Sequence, residues 1–334
     1  MTYENTADRF MTATAHKKYL SMTELREKMA MTPERVQKIE GAELIYEKLI
    51  AKGLITVIAA PPNGGKTTIA MHIAKVLAAR GFQVVYIDYD SAGIHVREYF
   101  EYSKSSNFDY WAEMDSGIDA QQLVDSLVAA SKDETNHSEC IYIFDTLKKF
   151  TNLMTKGKVA DFMSKMRILT RHGSTVILLA HTNKRPELDG NYLFEGVGDV
   201  KNDCDNLFYL IPMKNTDNSM TVTVDLENGG KKKALLEPCT FVIQANRTVN
   251  LSEEYAQPED VKNHELDKDN IETILKLLTR GELNESALVD LCQQQGISRR
   301  NSRRILRTYQ YWSVRKGDKN ATLYSCNGIT GKVS

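Results

Sequence analysis

Residues 54–80 constrain the fold of this chain more than any other stretch, with the sequence LITVIAAPPNGGKTTIAMHIAKVLAAR. A short apolar run, mostly β-branched, predicts a buried strand, and residues 60–67 after it predict a loop. Apolar residues then recur at helical spacing, and Gly81 stands just past the last of them, where a left-handed cap residue is expected. The stretch therefore predicts a strand, a loop and a helix in direct succession.

The loop of this unit has the composition of a phosphate-binding loop. Gly64 and Gly65 let backbone N–H groups point at a polyphosphate, and the helix N-terminus adds a partial positive charge. Lys66 can reach the β- and γ-phosphates, and the Thr67 hydroxyl can hold Mg²⁺. Ala60 replaces the first glycine of G-x-x-x-x-G-K-[ST], so the motif is a variant. The predicted nucleotide-binding residues are Pro62, Asn63, Gly64, Gly65, Lys66, Thr67 and Thr68. A chance Gly-Lys-Thr in a surface loop is the alternative, which the predicted flanking strand and helix disfavour.

Length and composition limit the remaining choices. The 334 residues suffice for about two domains of ~150 residues each, and 42% hydrophobic content is that of an ordinary soluble protein. The net charge of −1 means that nucleic-acid binding would need local basic patches. Five scattered cysteines without a C-x-x-C pair indicate neither a zinc site nor a disulfide framework. We expect a cytoplasmic protein without membrane contact, because the sequence shows no signal peptide and no apolar run near ~18 residues.

The chain is expected to contain four regions. They are an N-terminal helical extension (1–41), a nucleotide-binding domain (42–250), an acidic linker (251–270) and a winged helix-turn-helix domain (271–334). A capping box at Ser21 and a start signal at Thr32 predict helices in the extension, and residues 42–52 predict a helix before the phosphate loop. Residues 252–272 hold eight acidic and two basic residues, which indicates a linker.

Alternating strands and helices predict an α/β fold. Strands are expected at residues 83–88, 141–145 and 175–180, and three more at 206–211, 220–226 and 240–244. The strand at 220–226 alternates apolar and polar residues, which predicts a sheet edge with one solvent-facing side. The pattern indicates a parallel sheet extended by antiparallel strands. In the C-terminal region, three helices, the second capped by Asn284, precede a two-stranded hairpin.

Polar residues stand where three of the predicted strands end, at the sheet edge where ligands bind. Asp145 can hold Mg²⁺ through water, or it is a solvated strand-end carboxylate. One of Asp88 and Asp90 can orient an attacking water, and the spacing favours Asp90; the alternative is a residue that caps a helix or turn. His181 can contact the γ-phosphate, or it is a structural histidine. The predicted catalytic residues are Lys66, Asp90, Asp145 and His181, with Thr67 and Asp145 at the metal.

The phosphate loop, the D-x-D strand end, YIFD and LAHTNK, in this order, resemble the RecA-like ATPase core. More narrowly, they resemble the RepA-type and DnaB-type hexameric replicative helicases of plasmids and phages, over residues 42–250. The resemblance implies ATP and Mg²⁺ as cofactors and a homo-oligomer, a hexamer, that moves along single-stranded DNA. In that family ATP binds between subunits, and Asp90 takes the place of the catalytic glutamate.

A basic finger from the neighbouring subunit completes the site in such relatives, usually an arginine. Here the corresponding region offers Lys201 and no arginine, and the turn with Lys231 and Lys233 is the second candidate. Lysine supplies the same charge with less defined geometry. A solvated basic turn is the alternative interpretation of the second candidate.

DNA contacts are predicted in two regions. The loops after the Asp145 and His181 strands line the pore in RecA-like rings, and the expected contacts to single-stranded DNA include Lys148, Lys149, Lys156 and Lys158. These loops also contain Lys184 and Arg185. In the C-terminal domain, helically spaced arginines indicate a recognition helix for duplex DNA, through Arg300, Arg303, Arg304 and Arg307. The same surface could instead dock a neighbouring subunit or another protein.

These features predict an ATP-hydrolysing motor on single-stranded DNA, a replicative helicase of a mobile element. The alternative is an ATP-switched DNA-binding, loading or regulatory ATPase without unwinding activity.

Overall fold

The computed structural model describes residues 20–34, 43–114, 116–132, 139–182, 199–215, 217–226, 236–317 and 321–326. The chain divides into two compact units, Met1–Glu43 and Leu44–Ser334. The described part of the first unit contains helix α1 (Met22–Met29), and the predicted capping box between Ser21 and Glu24 is confirmed. The prediction of a helix that begins at Thr32 falls largely on residues outside the described ranges.

The second unit begins with a short antiparallel hairpin, β1 (Leu44–Tyr46) and β2 (Ile50–Ala51). The prediction of a helix over residues 42–52 is therefore wrong. Glu47 and Lys48 have φ angles of 37° and 55°, which lie outside the right-handed helical region. Both residues of β2 are fully buried, so burial of the hairpin against the core outweighs the local helical pattern.

A nine-stranded sheet forms the centre of this unit. Its strands are β3 (Ile55–Ala60), β4 (Gln83–Asp88), β5 (Asp109–Ala112), β6 (Cys140–Asp145), β7 (Thr175–His181), β8 (Asn206–Lys214), β9 (Met220–Asp225), β10 (Thr240–Ile243) and β11 (Val249–Leu251). The strand order is β11-β10-β9-β8-β3-β7-β6-β4-β5. Pairs from β8 to β5 are parallel, and β8 to β11 pair antiparallel. The predicted parallel sheet with an antiparallel extension is confirmed.

Helices pack on both faces of the sheet. They are α2 (Lys66–Ala79), α3 (Ile94–Ser106), α4 (Ala120–Ser131), α5 (Leu147–Phe150), α6 (Lys156–Arg171), α7 (Asp199–Asp203) and α8 (Pro258–Leu278). One face packs against α2 and the β1–β2 hairpin, and the other against α4, α6 and the start of α8. Gly81 follows α2 with a φ angle of 95°, which confirms the predicted left-handed cap.

Strand β9 lies inside the sheet, between β8 and β10, so the prediction of a sheet edge is wrong. Its polar face is covered: Thr223 is fully buried, and its hydroxyl donates to the carbonyl oxygen of Ala256 at 2.6 Å. The chain leading into α8 therefore covers a face that the alternating sequence assigns to solvent.

The segment predicted as an acidic linker is helical from residue 258 onward, because α8 runs unbroken from Pro258 to Leu278. Pro258 suits the first helical position, and Glu259 and Asp260 interact favourably with the helix dipole there. Lys262 forms a buried ion pair with Asp225 of β9, with 3.1 Å between Nζ and Oδ2. The linker prediction is wrong for these residues, which attach α8 to the sheet.

The C-terminal part of this unit has its own apolar cluster. It contains β12 (Leu283–Asn284), α9 (Glu285–Gln294), α10 (Arg299–Thr308), β13 (Trp312–Lys316) and β14 (Thr322–Cys326), with sheet order β12-β14-β13. Ile274 of α8, Leu288, Ile305 and Trp312 are buried together. Asn284 accepts a hydrogen bond from the Ala287 N–H, so the predicted cap of α9 is confirmed.

Candidate nucleotide-binding site

The predicted phosphate loop joins β3 to α2 at the carboxyl edge of the parallel strands. Gly65 has a φ angle of 81°, and a Cβ atom there would lie 2.6 Å from Cδ1 of Ile243. A Cβ atom at Gly64 would lie 2.9 Å from the carbonyl oxygen of Pro61. Backbone conformation and close packing both therefore require glycine in this loop.

Helix α2 begins directly after the loop, with Gly65 at the N-cap. No side chain caps this end, and the first turn contains no acidic residue. The first N–H groups of a helix have no partner within the helix, and the dipole favours an anion there. This end of α2 can accept phosphate oxygens.

A buried charge cluster lies beside the start of α2. Lys66 Nζ is 2.7 Å from Asp145 Oδ1, and both side chains are at most 5% exposed. The Thr67 hydroxyl donates to Asp145 Oδ2 at 2.8 Å, and the Tyr86 hydroxyl donates to the same oxygen at 2.7 Å. Three donors from α2 and β4 thus hold the carboxylate that ends β6.

Electrostatics keep Asp145 ionised. Burial is the largest single influence and raises the pKa of Asp145, but the Lys66 ammonium and the hydrogen bonds from Lys66, Tyr86 and Thr67 together outweigh it. The pKa of Asp145 consequently lies below its ordinary value. Burial and the adjacent Asp145 charge raise the pKa of Tyr86 well above its ordinary value, so Tyr86 remains a donor.

Asp88 holds the turn that follows β4. Its Oδ1 accepts hydrogen bonds from the N–H groups of Asp90 and Ser91, both at 2.9 Å, and its Oδ2 accepts one from the Tyr110 hydroxyl at 2.6 Å. Burial and this bond to Asp88 raise the pKa of Tyr110. Asp88 thus caps a turn, which is the alternative to water activation that the sequence left open for Asp88 and Asp90.

Asp90 and His181 lie together, as the order of the strand ends predicts. The distance from His181 Nε2 to Asp90 Oδ2 is 3.9 Å, and Lys149 Nζ lies 3.3 Å from Asp90 Oδ1. In the strand register Asp88 pairs with Asp145 and Ala60 pairs with His181, so all these groups lie at one edge of the sheet.

The donor set fits Mg²⁺. The Thr67 hydroxyl and the Asp145 carboxylate are hard oxygen ligands, the type that this ion prefers. In the described ranges no group of three or more His, Cys, Asp and Glu side chains could hold a metal. A bound Mg²⁺ would therefore take its remaining ligands from water and phosphate oxygens.

Two cavities open near this edge. One of 520 Å³ is lined by Thr68 of α2, Tyr99 and Tyr102 of α3 and Arg247 of the β10–β11 turn, among others. The other, of 1110 Å³, is lined by residues that include Lys148, Lys149 and Lys158. The sequence contains no signal for the first cavity, because no local motif marks residues that only the folded sheet brings to α2.

The predicted finger lysines are not placed against the phosphate loop by any described contact. Lys201 lies in α7 and is partly exposed. Lys231 and Lys233 lie outside the described residues, as do Lys184 and Arg185 of the predicted pore loop.

The predicted DNA-binding residues differ in their surroundings. Lys148, Lys149, Lys156 and Lys158 are exposed on α5 and the start of α6. On α10, by contrast, Arg304 forms a two-pronged ion pair with the buried Asp267 of α8. Arg303 and Arg307 lie 3.4 Å and 3.9 Å from the same oxygen of Glu285. Arg300 has no such acidic partner within the described part of the chain.

Comparisons with known proteins add a fold-level similarity. No family model matches the chain, and no curated protein matches it. The structure is similar to flagellar accessory protein FlaH from Methanocaldococcus jannaschii, with 12% identity over 61% of this chain and 92% of that chain and a TM-score of 0.43. It is also similar to a second solved structure, the ATPase domain of another protein, with 13% identity over 67% and 95% and a TM-score of 0.47. The assignment to the α/β class rests on the sheet topology itself. None of the described helices is long and apolar enough to span a bilayer.

Proposed function

We propose that this protein is a Mg²⁺-dependent ATPase that converts ATP and water to ADP and phosphate. The observation that carries the proposal is the Lys66–Asp145–Thr67 cluster at the uncapped start of α2. A nucleotide polyphosphate would draw Lys66 from Asp145 to the β- and γ-phosphates. Asp145 would then hold water around the metal, and the Thr67 hydroxyl would ligate the metal directly.

Two further side chains would act at the γ-phosphate. Asp90 would orient the attacking water, and His181 would contact the phosphate oxygens. Their mutual distance of 3.9 Å supports this pairing, because both groups then face one small region beyond the strand ends. Aspartate is one methylene shorter than glutamate, so the water would have to lie close to the end of β4.

The 520 Å³ cavity supports nucleotide binding independently. It opens beside Thr68 in the first turn of α2, and its volume is within the ~300–1000 Å³ of small-molecule sites. Tyr99 and Tyr102 supply aromatic surface for a base, and Arg247, paired with Glu98 at 3.0 Å, lies at the same cavity.

The finer proposal is a motor on single-stranded DNA, a homo-hexameric replicative helicase of a mobile element in the cytoplasm. Exposed lysines on α5 and α6 support it, because they can each contact a backbone phosphate. Lys201, Lys231 or Lys233 of a neighbouring subunit would supply the finger. The C-terminal residues 271–334 would act as a winged helix, with Arg300 available to duplex DNA.

The second candidate is an ATP-switched DNA-binding, loading or regulatory ATPase that does not unwind. The ion pairs of α10 favour it, since Arg303, Arg304 and Arg307 all have acidic partners within the chain. A helix whose cations are already paired makes a weaker phosphate surface than its sequence suggests.

Steady-state ATP hydrolysis, with and without single-stranded DNA, tests both candidates. We expect DNA-stimulated hydrolysis that Lys66→Ala abolishes, assembly into about six subunits with an ATP analogue in size-exclusion chromatography, and unwinding of a forked duplex. A hydrolysis rate that single-stranded DNA does not change would contradict the motor proposal and support the second candidate. Absence of turnover in the wild-type protein would contradict the ATPase itself.

A further inference from the structure

We infer that Lys149 is a positioning residue: its ion pair restrains Asp90, and single-stranded DNA in the 1110 Å³ cavity releases Asp90 by competing for Lys149. The inference rests on the proposed ATPase function and adds a route by which DNA would regulate it. Three features of the structure carry it.

The first feature is the ion pair itself. Lys149 Nζ lies 3.3 Å from Asp90 Oδ1, and His181 Nε2 lies 3.9 Å from the other oxygen, Oδ2. Asp90 is therefore held between a group at the end of β7 and a group on α5. A carboxylate held by an ammonium is less free to accept a hydrogen bond from water and turn toward it.

The second feature is where Lys149 comes from. Helix α5 follows Asp145 after a single intervening residue, Thr146, whose hydroxyl donates to the carbonyl oxygen of Leu179 at 2.8 Å. Leu147 and Phe150 of α5 are buried, whereas the lysines between them are exposed. The backbone under Lys149 is thus fixed by packing, and the side chain alone can change partner.

The third feature is the cavity. Lys149 lines it together with Lys148 and Lys158, and neither of those two has an acidic partner within the described residues. Three acidic residues also line the cavity: Glu113, Asp119 and Asp161. Asp119 caps α4, and Asp161 is paired with Lys165. A phosphodiester backbone that binds Lys148 and Lys158 would lie next to Lys149. Its phosphates could then compete with Asp90 for the Lys149 ammonium.

The energetic scale suits a switch. Lys149 and Asp90 are 43% and 34% exposed, and exposed ion pairs are weak, so several DNA phosphates can compete with one carboxylate. The same weakness means that removing the pair does not endanger the fold.

The experiment compares three variants at the level of steady-state hydrolysis, using an oligo-dT strand as the DNA. Lys149→Gln removes the ion pair, Lys149→Arg retains it, and Lys48→Gln removes an exposed lysine–glutamate pair in the β1–β2 turn, outside the site. We expect Lys149→Gln to raise the DNA-free kcat about fivefold, the scale of an exposed ion pair, with KM for ATP unchanged. Its stimulation by oligo-dT should fall correspondingly, Lys149→Arg should restore that stimulation because it retains the ion pair, and Lys48→Gln should keep the wild-type basal rate.

The outcomes separate this inference from the proposed function. Wild-type hydrolysis with an unchanged or lower DNA-free kcat in Lys149→Gln would overturn the inference and leave the ATPase intact. Hydrolysis that survives Asp90→Asn would also overturn it, because Asp90 would then have no role to restrain. No hydrolysis by the wild-type protein would overturn the proposed function and the inference together.

Discussion

Two ion pairs of the second unit, Lys66–Asp145 and Arg304–Asp267, have nearly the same chemistry and different consequences. At the phosphate loop, Asp145 accepts hydrogen bonds from Lys66, Thr67 and Tyr86. In the C-terminal part, the buried Asp267 of α8 accepts hydrogen bonds from both terminal nitrogens of Arg304. It also accepts one from the Tyr309 hydroxyl, at 2.9 Å. In each case a buried carboxylate is fully supplied with donors.

The difference lies in the cation and its neighbours. Lys66 is a flexible point charge beside the uncapped start of α2, so an arriving phosphate offers it a second partner. Arg304 holds Asp267 with a planar two-pronged contact that joins α10 to α8. A buried ion pair can therefore be of two kinds. It either breaks when a ligand offers the cation another partner, or it permanently connects two elements of the fold.

The largest expected effect is at the exchangeable pair. Lys66→Ala should lower kcat for ATP hydrolysis by about 100-fold or more, the scale for removing a donor that stabilises transition-state charge. The measurement is steady-state phosphate release at saturating ATP. Lys132→Ala, which removes an exposed lysine at the end of α4, should leave kcat unchanged. Substantial hydrolysis by Lys66→Ala would mean that Lys66 does not move from Asp145 to the phosphates. The Lys66–Asp145 pair would then be a permanent connection, like Arg304–Asp267.

The permanent pair should instead appear in stability. Arg304→Ala leaves the buried Asp267 charge without its main partner, and should lower the free energy of unfolding by about 2–3 kcal/mol, below the ~3–5 of fully buried pairs because Arg304 is half exposed. Urea denaturation measures this. Arg300→Ala on the same helix should change it by less than about 0.5 kcal/mol. Equal effects of the two variants would remove the distinction between connecting and free arginines on α10.

The rigidity of the phosphate loop can be tested with two glycines of similar backbone conformation. Gly65→Ala and Gly117→Ala share a left-handed penalty of about 1–2 kcal/mol, because their φ angles are 81° and 67°. Only Gly65→Ala adds overpacking, against Ile243, of about 1–3 kcal/mol. Thermal unfolding of both variants gives the difference. If they are equally stable, the loop adjusts more readily than its close packing indicates.

The smallest expected effect concerns pH. The pKa of Asp145 is lowered in the folded protein, so its contribution to stability is present above the ordinary carboxyl pKa and is lost as the pH falls through the folded value. Lys66→Ala removes the main cause of that lowering. The stability difference between wild type and Lys66→Ala should therefore shrink by about 1 kcal/mol between about pH 6 and pH 3. A difference that stays constant with pH would mean that Lys66 does not hold Asp145 ionised.

Local pattern sufficed for the elements that carry the candidate site. The phosphate loop, the strands that end at Asp88, Asp145 and His181, and the cap at Asn284 follow from residue chemistry within a few positions. Pattern failed where burial came from a distant segment. The β1–β2 hairpin, the interior position of β9 and the helical residues of the predicted linker all depend on contacts that no local window contains.

The sequence by itself determined which groups are available: a glycine-rich loop before a helix, a lysine and a threonine at its start, and acids and a histidine at strand ends. Only the tertiary structure decided their partners, because ion pairing depends on distances between elements far apart in the chain. It assigned Asp88 to a turn and Asp90 to a position between His181 and Lys149. It also divided the arginines of α10, which look equivalent in sequence, into those paired with acids and Arg300.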